Sequence, residues 1–320
     1  MKAIVYSKYG GPEVLQLKEI EKPSPKDNEV LIKVHAVSIN DWDLGLLRGD
    51  LVNRLLNGML KPKRKILGSD IAGRIESVGK NVTKFKPGDE VYGDLSSYWG
   101  GFAEYACARE ISLALKPPAM SFEAAAAIPQ AAMLAVQGLI DKGKIRPGQK
   151  LLINGAGGGV GTFGMQIAKL YGVETTGVDS TGKQDMLRLM GFDHVIDYTK
   201  QDFTKNGQCY DLVFDVKTNR SMFGYARALC PNGIYVTVGG SMSRLLQALL
   251  LAPWISMVRK KHIRIVALKT NKDLPYMNEL FEAGKLKPVI DGPYQLHEFI
   301  EAFRLFDKAE HKGKVVITFP

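Results

Sequence analysis

The stretch Gln149-Lys-Leu-Leu-Ile-Asn154-Gly155-Ala156-Gly157-Gly158-Gly159-Val160-Gly161 decides the architecture. Its first half is a short apolar run suited to a buried strand, and from Thr162 to Tyr171 the pattern turns helical. Between them lies a turn almost without side chains. Glycines there let the backbone approach a pyrophosphate, whose charge is offset by free N–H groups and the positive end of the helix dipole. The register Ala156-x-Gly158-x-x-Gly161, with Gly159 and Val160 inside it, fits this use. The literal GxGxxG at Gly159, Gly161 and Gly164 does not, because Gly164 falls a turn inside the helix. A tight turn without a ligand would use the same glycines, so the surroundings decide.

Downstream, strands at Val173–Val178, His194–Asp197, Leu212–Asp215 and Ile234–Val238 alternate with helical patterns at Gln184–Met190 and Met222–Leu229. Repeated β-α-β units give a parallel sheet with right-handed crossovers, a doubly wound α/β domain. Asp179 ends the second strand, 18 residues beyond Gly161. A carboxylate there accepts hydrogen bonds from the adenosine ribose and repels a 2′-phosphate, which favours NADH. Ser180, Thr181 and Lys183 follow, and hydroxyls with an ammonium suit a 2′-phosphate, which favours NADPH. The balance leans slightly to NADH, with use of both coenzymes expected.

Upstream, Glu29–Val37, Asp70–Val78 and Asp89–Gly93 read as short strands, with the turn Lys86-Pro-Gly-Asp89 among them, so residues 1 to about 120 form a β-rich lobe. The tail from Pro288 returns to a helix, Leu296–Phe306, and a last strand, Val315–Phe319, placed to rejoin that lobe. Leu245–Val258 is shorter than the roughly 20 residues of a spanning helix and contains Pro253. It reads as a buried or interface helix, most of its leucines packing in a core.

The chain has 320 residues, 45% hydrophobic and 24% charged, enough for about two domains. Disordered, collagen-like and disulfide-stapled miniprotein classes are excluded. The formal charge of +10 includes clusters at Lys61, Lys63, Arg64 and Lys65 and at Arg259, Lys260, Lys261, His262 and Arg264. They read as a solvated loop and a helix end, with phosphate, an acidic membrane or RNA as the alternative; no nucleic-acid partner is expected. Three cysteines, Cys107, Cys209 and Cys230, lie far apart without a CxxC, and the N-terminus lacks a secretory apolar core. A cytoplasmic protein without a structural disulfide is therefore expected. The five histidines form no HExxH pair, so no metal site is expected, and no GxSxG elbow supports a serine hydrolase.

Several blocks in order carry a resemblance: Asn28-Glu-Val-Leu-Ile-Lys-Val, Gly68-Ser-Asp-Ile-Ala-Gly-Arg-Ile, Lys86-Pro-Gly-Asp-Glu-Val-Tyr-Gly, Gly101-Phe-Ala-Glu-Tyr-Ala, Gly158-Gly-Val-Gly-Thr-Phe-Gly-Met-Gln-Ile-Ala-Lys169 and Gly313-Lys-Val-Val-Ile317. The chain resembles the medium-chain dehydrogenase/reductase superfamily, in its zinc-free quinone oxidoreductase branch, similar to zeta-crystallin and the alkenal/enone reductases. Where zinc alcohol dehydrogenases carry a first Cys ligand this sequence has Asn40, and where they carry His it has Ser69. The resemblance implies a GroES-like β-barrel-type catalytic domain over 1–122 and 286–320 and a Rossmann domain over 123–285. It also implies hydride transfer from NAD(P)H to a quinone or an enone, a homodimer, and no metal.

Two departures weaken the cofactor inheritance: Asp179-Ser-Thr-Gly-Lys183 lacks the Arg of the usual phosphate turn, and Leu134 stands where a cofactor-touching hydroxyl is usual. Asn40 is expected to orient substrate or nicotinamide ribose, with Asp41, Asp43 and Arg48 as candidates for stabilising or protonating an oxyanion. Val238 and Gly239 pass the nicotinamide or form a simple turn. Tyr198 lies beside the adenosine or in the core, and Lys314 lies near the cofactor or in solvent. The helix Leu245–Ile255, with Trp254, could roof the acceptor site or pair subunits. A zinc-type alcohol dehydrogenase relative and a non-catalytic NAD(P)H-sensing module stay open as alternatives.

Overall fold

Glu29–Ser38 organises the β-rich part of the chain, and its apolar residues sit on both faces because neighbours cover both. One edge pairs antiparallel with Asp70–Val78; the other is shared by Tyr105–Arg109 and Lys314–Thr318. In this computed structural model, which describes residues 1–240 and 242–320, these strands belong to a seven-stranded sheet in a unit made of Met1–Gln130 and Thr270–Pro320. Its core gathers Val30, Ile32, Val34 and Ile71 with Phe102 and Phe303, whose rings meet edge to face at 5.2 Å. The last strand rejoins the first lobe through Val316 opposite Ser38.

The second unit, Ala131–Lys269, holds six parallel strands: Lys150–Asn154, Glu174–Asp179, His194–Asp197, Tyr210–Asp215, Leu229–Thr237 and His262–Ile265. Numbered along the chain, they lie side by side as 3-2-1-4-5-6. This is the doubly wound dinucleotide-binding order. The strand order reverses between Lys150–Asn154 and Tyr210–Asp215, leaving a crevice at their carboxyl ends. The sixth strand escapes sequence reading because His262-Ile-Arg-Ile265 is four residues long and half of it is polar.

The structure departs from three expectations. First, the chain divides into its two compact units at 130/131 and 269/270, where domain bounds at 122/123 and 285/286 were expected. The reason is side-chain attachment: Phe122 stacks on His35 with ring centroids 4.4 Å apart, Asn278 accepts from the Tyr92 hydroxyl at 2.6 Å, and Asn271 accepts from the Asp94 N–H at 2.8 Å. Secondly, Cys209 and Cys230 form a disulfide. They are 21 residues apart in sequence, but strand pairing sets Tyr210 opposite Leu229 and brings their neighbours to a Cα separation of 4.9 Å. Only tertiary register reveals this. Cys107 remains a free thiol. Labelling of unfolded, unreduced protein should therefore find one thiol, rising to three after reduction. Cys209→Ser should cost about 3 kcal/mol of stability in urea melts, from the loop entropy released to the unfolded chain.

Thirdly, the leucines of the helix Met242–Arg259 do not mostly enter a core. Among its described side chains Ala248 and Ile255, seven residues apart, are fully buried, whereas Leu246, Leu249 and Leu250 are exposed. A helix laid along a sheet by a stripe this narrow leaves most of its circumference in solvent.

Candidate coenzyme and acceptor sites

In the second unit the glycine turn ends on the helix Gly159–Lys169, with Gly158 at its N-cap and no side chain capping its first turn. Its first N–H groups thus remain available to an anion. Gly155 has φ +84°, a left-handed conformation that favours glycine. A Cβ on Gly161 would lie 2.3 Å from the Gly155 carbonyl oxygen and 2.6 Å from the Ala156 Cα. Only hydrogen fits between helix and turn. Gly164, by contrast, faces Ile153 and Phe214 from within the helix, as a packing residue.

Asp179 does structural work on this turn. Its Oδ2 accepts from the Gly157 N–H at 2.8 Å and its Oδ1 from the Ser180 N–H at 2.9 Å, while the Lys183 ammonium lies 3.7 Å from Oδ1. Asp179 and Lys183 are both nearly buried. The carboxylate is therefore not the isolated charge that the sequence suggests: it clamps the turn to the second strand, partly neutralised by Lys183. Tyr198 is half exposed beside it and donates its N–H to the Asp179 carbonyl at 3.2 Å. It is not a core residue.

At the strand-order reversal, the Asn154 amide donates to Asp215 Oδ1 at 2.8 Å. The N–H groups of Lys217 and Thr218 donate to the same oxygen at 3.1 and 2.8 Å, and the Tyr235 hydroxyl to Oδ2 at 2.5 Å. Four donors satisfy this buried carboxylate. Burial, reinforced by Asp215, pushes the Tyr225 and Tyr235 hydroxyls far above the usual tyrosine range. Beyond it, the Val238 N–H donates to the Asp215 carbonyl, and a Cβ on Gly239 would meet nothing within 4 Å. The open space at Gly239 lies at the carboxyl end of the fifth strand. Asn154 and Asp215 escaped sequence reading, since single polar residues ending apolar strands carry no pattern.

In the first unit, Asn40 precedes the helix Asp41–Arg48 and is almost fully buried. Lys314 donates to Asn40 Oδ1 at 2.5 Å, and to Asp70 Oδ2 and the Ile39 carbonyl at 3.4 Å each. An ammonium only donates, so the carboxamide oxygen must face it and the NH₂ must face away. That NH₂ donates to Ser69 Oγ at 3.3 Å. Lys314 is thus a buried partner of Asn40 and Asp70 rather than a solvated lysine.

Asp70 Oδ2 also accepts from the Gln130 N–H at 3.2 Å, and Asp70 pairs in register with Asp94 on the next strand. One oxygen of each, Asp70 Oδ1 and Asp94 Oδ2, is buried with no partner. Burial raises the Asp70 carboxyl against the pull of Lys314. Burial and the neighbouring Asp70 push Asp94 up to about 7. The Asp70 carboxylate stands in the quoted Gly68-Ser-Asp block, yet nothing local marks it as the partner of a lysine 244 positions away.

The structure gives two catalytic candidates partners of their own. Asp43 is fully buried, accepting from the Asn40 N–H and the Gly68 N–H at 2.8 Å each, and burial pushes it up to about 7. It joins the helix start to the Gly68 turn. Arg48 is exposed at the helix C-terminus and ion-paired with Asp307. Five residues along a helix turn it away from Asp43's side. Asp41 is exposed on the first turn.

Residues 26–118 match the alcohol dehydrogenase GroES-like domain family, and residues 190–317 match the zinc-binding dehydrogenase family. A 2-methylene-furan-3-one reductase of Solanum lycopersicum is 34% identical, over 99% of this chain and 79% of its own. A chloroplastic NADPH-dependent alkenal/one oxidoreductase of Arabidopsis thaliana is 33% identical over the same shares. The solved quinone oxidoreductase of Coxiella burnetii superposes with a TM-score of 0.87 at 28% identity, covering 100% of this chain and 99% of that one. The zinc of the second family's name does not fit: among the described residues no group of three or more His, Cys, Asp or Glu is placed to hold a metal ion. With such similarity along its whole length, the chain belongs to the medium-chain dehydrogenase/reductase superfamily, in its zinc-free quinone oxidoreductase branch.

Proposed function

We propose that this protein reduces quinones or α,β-unsaturated carbonyls with a nicotinamide coenzyme and without a metal. The observation that carries the proposal is the bare turn, where the helix start is open to an anion and a Cβ at Gly161 would strike backbone. The bound coenzyme would supply the hydride. Gly158, Gly159, Val160 and Gly161 present N–H groups to the pyrophosphate, with Ala156 packed beneath them. Asp179, Ser180, Lys183 and Tyr198 flank the adenosine ribose, and Val238 and Gly239 leave room for the nicotinamide. Asn40, its orientation fixed by Lys314, offers its second amide N–H to the acceptor's carbonyl oxygen, where negative charge develops.

The test follows coenzyme oxidation against a panel of quinones, enals and enones. Asn40→Ala should lower kcat about 100- to 1,000-fold, as losing one oxyanion donor does elsewhere, with coenzyme Kd nearly unchanged. No turnover of any acceptor by the wild type would overturn the proposal.

Both NADH and NADPH are accepted in this reading, with Asp179 setting the balance against Lys183. The Arabidopsis relative carries NADPH dependence in its name. Asp179→Asn keeps an acceptor oxygen for the turn but removes the charge that faces a 2′-phosphate. The Kd ratio should shift about tenfold toward NADPH, the value of roughly 1.4 kcal/mol of relieved repulsion. An unchanged ratio means that Asp179 does not select.

A further inference from the structure

We propose that the helix Met242–Arg259, with the basic turn behind it, docks this protein onto an anionic lipid surface. The proposal is independent of which acceptor is reduced. Leu246, Leu249, Leu250, Trp254, Met257 and Val258 recur three or four positions apart and so share one face, and all are exposed, Leu250 and Met257 by 77% and 78%. The opposite face is held by the buried Ala248 and Ile255. Phe223 widens the stripe, its ring edge-on to Trp254 at 5.8 Å and also exposed. A helix of 18 residues is about 27 Å long. None of the described helices is long and apolar enough to cross a membrane, so this one would lie in the interface.

Charge selects the occupant. From Val216 to Lys272 there is no Asp or Glu, while ten Lys and Arg occur. The rest of the chain carries 33 basic and 33 acidic residues, so the whole formal charge of +10 belongs to the segment that bears the apolar stripe. Arg259 and Lys260 are exposed where the helix ends. Lys261 turns inward, donating to the Ala226 and Leu229 carbonyls, and so fixes the turn that presents them. A second copy of this chain would bring the same excess of positive charge to the contact. An anionic bilayer complements it, with acyl chains for the leucines and headgroup phosphates and carboxylates for the cations.

The test uses the full chain and vesicle flotation. Vesicles of phosphatidylcholine containing phosphatidylserine should bind the protein about tenfold better than phosphatidylcholine alone, and binding should fall as salt screens the charges. Leu249→Ser with Leu250→Ser, and separately Arg259→Glu with Lys260→Glu, should each lower binding by about tenfold. Unchanged Tm and coenzyme Kd verify that both variants are folded. Absence of binding to the acidic vesicles at low salt would overturn the proposal, as would binding that both double variants retain. A wild-type dimer that ignores vesicles and is dissociated by the serine variant would assign the stripe to a second copy instead.

Discussion

Lys314→Met is expected to destabilise the first unit by about 3–5 kcal/mol, because it strands a buried carboxylate without its cation. Lys314 and Asp70 lie 3.4 Å apart with side chains at most 3% exposed, and one oxygen of Asp70 already lacks a partner. Adding Asp70→Asn to the variant should recover at least half of the loss, since a neutral amide does not need the ammonium. The measurement is a urea double-mutant cycle on both singles and the double. Additive losses would show that the two residues are stabilised separately. The single variant should also lose activity, because the orientation of Asn40 is no longer imposed.

Gly161→Val should abolish useful coenzyme binding, weakening it by about a hundredfold or more while costing about 1–3 kcal/mol of stability through overpacking. The first side-chain carbon would fall 2.3 and 2.6 Å from backbone atoms of Gly155 and Ala156. Neither neighbour is a flexible side-chain tip, so relief requires the turn to move away from the helix start. Calorimetric titration with NADPH and NADH measures the effect, and circular dichroism separates it from unfolding. Wild-type affinity in Gly161→Val would remove the turn from the site.

Much of the second unit is legible along the chain because its signals are local. Lys150–Asn154 is apolar throughout, the glycines follow at once, and the turn's geometry depends on residues within a dozen positions of each other. The discounted Gly164 register illustrates this, since helical spacing alone assigns that residue to packing. The position of Asp179 was equally readable, but its partners were not. Whether its oxygens meet ribose hydroxyls or the Gly157 and Ser180 amides depends on how the turn folds back over the second strand.

The first unit shows the opposite balance. Asp43 and Arg48 were attractive as neighbours of Asn40, yet helix geometry buries one and exposes the other. The residues that do surround Asn40 come from positions 69, 70 and 314, gathered by antiparallel strands. The disulfide has the same origin.

The sequence alone determined what repeats at short range: the β-rich lobe, the alternation of strand and helix, and the glycine turn. Tertiary structure decided which distant charges meet, which cysteines pair and which leucines face solvent. The physical reason is that backbone propensity and periodicity act over a few residues, whereas burial and pairing energies act between chain segments brought together only by the fold.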